Sequence, residues 1–312
     1  MKNIVRFGFE RVVQLMLVVF FVSSLTFWLL RLAPGDPAYL LLSAHNIPVS
    51  NEALTNLREE LGLTDSLASQ YVNWLQDAFT WQWGTSYVSR EPVINELLHR
   101  LPATLELAGA GLLVMVLVTF LMGMATAFYS SGWLNKIGRG AALLGSSIPS
   151  FWLGFLLIYL CSVQLGWLPS MGRGTLAHLV LPALTLGLGL GSVYARVLRS
   201  NLLEAMDQPF VQAAKARGLS KRRILLFHIL KHAFLPVVTM IGTSFAFMIG
   251  GSMIIESIFS WPGLGKYIIE AINKRDYPVI QGYVVLTSFL FVLIHIVVDI
   301  LYRLVDPRMR VQ

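Results

Sequence analysis

The strongest constraint on this chain is a series of six long apolar runs. They fall at 12–30, 103–129, 141–165, 181–198, 236–255 and 281–304. Each is close to the roughly 20 residues that a helix needs to cross a bilayer core of about 30 Å. Lipid offers no partner to backbone N–H and C=O groups, so every run that crosses it must be helical. With 55% of its 312 residues hydrophobic and 13% charged, the chain carries more apolar surface than a soluble domain of this length needs. The first run follows Lys2, Arg6 and Arg11 and exits through Arg31 and Pro34. It is longer than the 7–15 apolar residues of a cleaved signal peptide and reads as an uncleaved span. The pattern predicts an all-α polytopic membrane protein with six transmembrane helices.

Six spans leave both ends on one side, and the basic residues say which. One side holds Lys2, Arg6, Arg11, Lys136, Arg139, Arg196, Arg199, Lys215, Arg217, Lys221, Arg222, Arg223, Lys231, Arg303, Arg308 and Arg310. The other holds Arg58, Arg90, Arg100, Arg173, Lys266, Lys274 and Arg275, although its loops are longer. The excess of Lys and Arg on cytoplasmic loops predicts N-in, C-in. The net charge of +7 then reports orientation and contact with anionic headgroups, not a nucleic-acid surface. The organisation expected is an N-terminus and first span at 1–31, an external, periplasmic loop at 32–101, and a five-helix core at 102–312. The core carries a cytoplasmic segment at 201–235. The external loop is acidic and contains amphipathic patterns at 51–61, opened by the capping residue Ser50, and at 67–79. Trp74, Phe79, Trp81, Trp83 and Tyr87 suit an interfacial aromatic belt or a docking surface.

Most candidate chemical sites fail on context. The Gly265-Lys266 pair is followed by Tyr267 rather than Ser or Thr and makes no phosphate-binding loop, so any ATP site lies on another subunit. Gly187, Gly189 and Gly191 lie in an apolar run with no preceding strand. Gly187 and Gly191 suit close helix packing, as do Gly250, Gly251 and Ser252. His228 and His232 share a helix face but lack a third metal ligand. The lone Cys161 lies inside a run and builds no disulfide or metal site. His295 and Asp299 are one turn apart in the last run, where ionisable groups are costly; they suit a mutual pair or an aqueous path. Glu106 and Glu256, near outer span ends, are expected to be exposed, with a gate or packing role as the sharper alternative. No nucleophile faces His295 to make a membrane enzyme.

The segment 201–235 is too long for a simple connection between spans. It is basic, with only Glu204 and Asp207 as acids, and has a helical period of its own. Within it stand Gln212-Ala213-Ala214, Lys215-Ala216-Arg217 and Gly218, followed by Leu235-Pro236. This resembles the coupling loop of ABC importer permeases, Glu-Ala-Ala, three residues, Gly, and later Leu-Pro. Gln212 stands where the general form has glutamate, and the interval from Gly218 to Pro236 is longer. That longer interval is similar to the dipeptide, oligopeptide and nickel branch. So are Leu32-Ala33-Pro34-Gly35-Asp36-Pro37, Gly84-Thr85-Ser86, Leu101-Pro102-Ala103-Thr104-Leu105-Glu106-Leu107 and the run Glu256 to Gly265. Arg275-Asp276-Tyr277-Pro278-Val279-Ile280-Gln281 and Asp306-Pro307-Arg308 complete the set.

The resemblance implies a type I importer permease fold in a bacterial cytoplasmic (inner) membrane. It implies a second, homologous permease as heterodimer partner, two ATP-binding subunits and an external substrate-binding protein. This chain would bring no cofactor, with ATP and Mg²⁺ held by the ATPases. The helix around Ala213 to Gly218 would sit in a groove on an ATPase and pass its motion to the spans beyond Arg199 and Pro236. The overall similarity, including the insert 43–48, looks closest to nickel and metal-chelate permeases, with a di- or oligopeptide permease as the alternative. A free-standing channel is the competing class and predicts ion flux from this chain alone.

Overall fold

A computed structural model of the chain describes residues 2–44, 50–128 and 132–305. Most of the insert 43–48 and the whole of Asp306-Pro307-Arg308 lie outside the described residues. In chain order the helices are α1 Lys2–Leu32, α2 Pro37–Ala44, α3 Asn51–Glu60, α4 Leu67–Phe79, α5 Val93–Phe128, α6 Trp133–Ser147 and α7 Ser150–Leu157. There follow α8 Leu176–Met206, α9 Pro209–Ala216, α10 Lys221–Ile224, α11 Leu230–Gly251, α12 Met253–Ile258, α13 Leu264–Lys274 and α14 Tyr277–Val305. π-Helical turns at Ile158–Gln164 and Leu225–Ile229 extend α7 and join α10 to α11. Among the described residues the only extended pairing is an isolated bridge between Thr85 and Pro92.

Among the described residues four helices are long and apolar enough to cross a membrane: Arg11–Leu32, Val93–Phe128, Leu176–Met206 and Tyr277–Ile300. The number rises to six if each of two bent pairs is one span. The run expected at 141–165 is the sharper of these, turning through 108° between Lys136–Ser147 and Ser150–Gln164. Pro149 explains the break: it disfavours the helical region for the residue before it, and Ile148 is extended at φ −76° and ψ 125°. The second bend, 46°, falls at Pro236, whose ring and missing N–H interrupt the ladder.

The chain groups into two compact units. The first comprises Met1–Thr104 and Pro262–Leu293. Both amphipathic helices of the 32–101 segment form here, and the expected cap is present: Ser50 Oγ accepts from Ala53 N at 3.1 Å. Ser66 caps α4 in the same way. Trp74 and Tyr71 of α4 pack on Phe27 of α1, and Tyr71 shares a 2.8 Å hydrogen bond with Ser24. Part of the expected aromatic belt is therefore core, whereas Phe79 and Trp81 are exposed.

The second unit comprises Leu105–Trp261 and Ile294–Gln312, and α8 is its hub. Its small residues allow close contact, as the sequence suggested for Gly187 and Gly191. A Cβ on Gly187 would lie 2.5 Å from the Gly111 carbonyl, and one on Gly191 2.8 Å from Val118 Cβ. Gly145 of α6 faces Ser192 in the same manner. Tyr194 of α8 and Ser244 of α11 share a 2.6 Å hydrogen bond. The pair Gly250 and Gly251 departs from expectation. Nothing lies within 4 Å of a Cβ on Gly250, and Gly251 meets only its own helix's Phe247 at ordinary distance. Gly187→Val should therefore cost about 1–3 kcal/mol by overpacking and lower the thermal midpoint of the detergent-solubilised protein. Gly250→Ala should leave that midpoint unchanged or raise it slightly.

Candidate functional site

The segment 201–235 folds as the end of α8, then α9, then α10 running into α11. Pro209 opens α9 at its first turn, where no N–H is needed. The helix closes at Gly218, whose φ of +74° favours glycine. Gly218 N donates to Lys215 O at 2.9 Å and Leu219 N to Ala214 O at 3.2 Å. This pair of bonds, with Leu219 packed on the core that contains Ala214, is a Schellman closure.

The two faces of α9 differ. Val211 and Ala214 are buried against Leu198, Leu202 and Ala205 of α8 and Ala233 and Val237 of α11. Gln212, Ala213, Lys215, Ala216, Arg217 and Gly218 are exposed, as is Glu204. Ala214, within the helix expected to sit in an ATPase groove, is turned inward by this packing. Pro236 lies inside α11, one residue after Leu235. His232 stacks on Phe210 at 5.4 Å and His228 is exposed; among the described residues no cluster of three or more His, Cys, Asp or Glu could hold a metal.

The charged candidates of the spans part company. Glu256 is fully buried, not exposed as expected, and Ser252 at the α11–α12 junction, itself buried, donates to its Oε1 at 2.9 Å. Glu106 accepts from Arg173 Nε at 2.8 Å and Nη2 at 2.5 Å, with Arg173 over the Trp261 ring at 5.8 Å. Trp261 N in turn donates to Glu256 O at 2.8 Å. Arg173 and the fully buried Trp261 thus bring Glu106, Glu256 and Ser252 into one neighbourhood. Arg173 looked in the sequence like one external charge among several. His295 and Asp299 are half-buried, one turn apart on α14, and Gly250 and Gly251 are exposed.

In the first unit, motif segments far apart in sequence meet. The Asp276 carboxylate is buried; it accepts from Ser86 Oγ at 2.5 Å and Tyr87 N at 3.1 Å. Thr104 Oγ1 accepts from Leu264 N at 2.8 Å. Gly35 admits the Arg275 guanidinium, which a Cβ there would meet at 2.7 Å. Burial pushes the Tyr87 phenol up to about 12, opposed by Arg31 and assisted by Asp276 and Tyr277, so it is neutral at physiological pH. The Tyr267 phenol is likewise pushed up to about 12, first by burial and then by Glu96.

Comparison with known proteins gives this arrangement its class. Residues 119–311 match the family described as binding-protein-dependent transport system inner membrane component, and residues 4–108 match its N-terminal counterpart. The chain belongs to this family: it is an inner-membrane permease subunit of an ABC importer, of the peptide-type branch. The glutathione transport system permease protein GsiC of Salmonella choleraesuis (strain SC-B67) is 38% identical over 96% of this chain and 97% of its own length. GsiC of Escherichia coli (strain K12) is 36% identical with the same coverage. Among solved structures, the inward-facing MetNI methionine ABC transporter aligns with a TM-score of 0.57 at 22% identity, covering 69% of this chain and 99% of that one. An amino acid ABC transporter aligns at 0.54 and 16%, covering 67% and 94%. The fold is that of type I importer permeases.

The buried Asp276 ties should matter far more than surface pairs. Asp276→Ala strands Ser86 and the Tyr87 amide and should cost about 1.5–3 kcal/mol. Glu60→Gln, which breaks an exposed pair with Arg90, should cost less than about 1 kcal/mol. Thermal unfolding of the two variants in detergent checks the order.

Proposed function

We propose that this chain forms half of the translocation path of an ATP-driven importer whose cargo is a short peptide, with glutathione as the nearest chemical type. The observation that carries this reading is the match to GsiC glutathione permeases over nearly the whole length of both chains. It favours the di- or oligopeptide alternative over the nickel or metal-chelate cargo expected first, which these relatives do not support. The assembly proposed has N and C termini in the cytoplasm, a second permease, two ATPases that hold ATP and Mg²⁺, and an external binding protein.

The coupling residues are Glu204, Gln212, Ala213, Ala216, Arg217 and Gly218 on the exposed side, with Ala214 as the inward anchor and Leu235 and Pro236 at the entry to the span. Two features support that role. The exposed face of α9 carries Ala213 and Ala216 among longer polar side chains, and these two small residues allow another backbone to come close. Its buried face is fastened to α8 and α11, so a push on α9 reaches both. For the path, Glu106, Ser252 and Glu256, joined through Arg173 and Trp261, are the proposed outer gate. The exposed Gly250 and Gly251, and His295 with Asp299, are weaker candidates for its wall.

Gly218→Asp tests the coupling role. Aspartate tolerates a positive φ at a cost on the order of 1–2 kcal/mol, too little to unfold the protein. The variant should reach the membrane at normal abundance yet lose uptake and substrate-stimulated ATP hydrolysis; normal uptake overturns the role. For cargo, a strain deleted for this chain should lose growth on glutathione or a tripeptide as sulfur source while keeping nickel accumulation. The reverse pattern restores the metal reading. Ion flux through the isolated chain in liposomes without ATP would replace both with a channel.

A further inference from the structure

The second unit contains a cavity of about 520 Å³ that the transport reading does not use. Its walls come from the end of α5 (Met122, Thr126), the first turns of α6 (Lys136 to Leu143) and α8 (Ala195 to Arg199). Four cations line it, Lys136, Arg139, Arg196 and Arg199, and no carboxylate does. The chain itself can hardly supply one from these elements, because no Asp or Glu stands between Glu106 and Glu204. The cavity is built rather than incidental. Arg199 is held at its edge by donating Nε to Thr126 O at 3.2 Å. Gly138 brings α6 so close to α5 that a Cβ would lie 2.6 Å from Thr126 Cγ2.

Four cations around one concave space favour an anionic group with several acceptor oxygens. The surroundings decide its source. The rest of the lining is apolar (Met122, Ala142, Leu143, Ala195), and α6 exposes Trp133, Ile137, Leu143 and Leu144, each more than half accessible. A ligand that satisfies both halves has a phosphate group at one end and hydrocarbon at the other. The charge distribution also assigns this end of α5 and α8 to the cytoplasmic face, where anionic lipid headgroups attract basic side chains.

We infer that this cavity is a binding site for the phosphodiester headgroup of an anionic phospholipid, with its acyl chains lying along the exposed apolar face of α6. The site is separate from α9. It would hold α6 against α5 and α8 by bridging cations from α6 and α8 through its phosphate oxygens, which offsets one of the four like charges and weakens their mutual repulsion.

The full chain, purified in its assembled transporter, can be placed in nanodiscs of phosphatidylcholine with a graded fraction of phosphatidylglycerol. Retained lipids are then counted by native mass spectrometry. Wild type should retain phosphatidylglycerol selectively, and K136Q/R139Q should weaken that retention about fivefold for each charge removed. Both residues are exposed, so the fold should survive; if assembly fails, R196Q alone reads the same site. Equal loss in R222Q/R223Q, which removes two exposed charges elsewhere, would reduce the effect to general surface attraction and overturn the site. Inorganic phosphate that raises the thermal midpoint of wild type but not of K136Q/R139Q, with no phosphatidylglycerol retained, would assign the pocket to free phosphate and overturn the lipid. Retention by the chain alone but not by the assembled transporter would show that an acidic protein surface covers the pocket, and would overturn it equally.

Discussion

Close backbone approach around α8 is the constraint on which the second unit depends. In hydrocarbon, apolar side chains gain nothing by leaving lipid for another helix, so association rests on packing and interhelical hydrogen bonds. Gly111, Gly187 and Gly191 let α5 and α8 meet at backbone distance, and Gly145 lets α6 meet α8 at Ser192. Gly123 continues the seam, since a Cβ there would lie 3.1 Å from the Ala195 carbonyl. The Tyr194–Ser244 hydrogen bond adds a directional tie to α11. α8 is gripped along its length, with buried residues from Leu181 to Ala205.

The first unit solves a different problem. Beside the long apolar α1 and α14 it carries the short amphipathic helices α3, α4 and α13, and buried polar contacts tie its segments together. Asp276 replaces the water that the 86–88 turn would otherwise need, so that two motifs separated by 190 positions become one structure. Arg31 works similarly: Nε donates to Gln70 at 2.7 Å while the guanidinium lies near the Phe27 and Tyr277 rings. Charged groups here are partners in the packing, which explains why substitution at Asp276 and at a surface glutamate are not equivalent.

The sequence made some of this legible and hid the rest for physical reasons. Run length found the four long helices, because length and hydropathy alone decide whether a helix can cross. It could not see the 108° turn, because an average over 141–165 is insensitive to Pro149, although that residue carries the signal. Gly218 was readable as a turn since a positive φ favours glycine. The inward aspect of Ala214 was not, since it depends on Leu198, Leu202 and Val237, which converge only in three dimensions. Burial of Glu256 was missed for a related reason: a span end looks exposed until its packing in three dimensions, with the Ser252 hydrogen bond, is seen. The family resemblance rested on spacing and held. The finer choice of nickel rested on overall likeness, and no residue in the spans formed a metal cage that would have tied that likeness to a cargo.

The two faces of α9 carry the argument from structure to transport. An exposed helix tethered only at its ends could follow an ATPase without moving anything else. Here Val211 and Ala214 lie in the same buried cluster as Leu198, Leu202 and Ala205 of α8 and Ala233 and Val237 of α11. Phe120 and Phe234 pack beside it with ring centres 4.9 Å apart, which extends the cluster to α5. Close-packed interiors do not compress, so a displacement of α9 cannot be absorbed within that cluster. Under the coupling role proposed for α9, it would pass to α8 and α11, which share the cluster. The Pro236 bend lies within that packed region rather than at its edge, because Ala233 before it and Val237 after it belong to the same cluster.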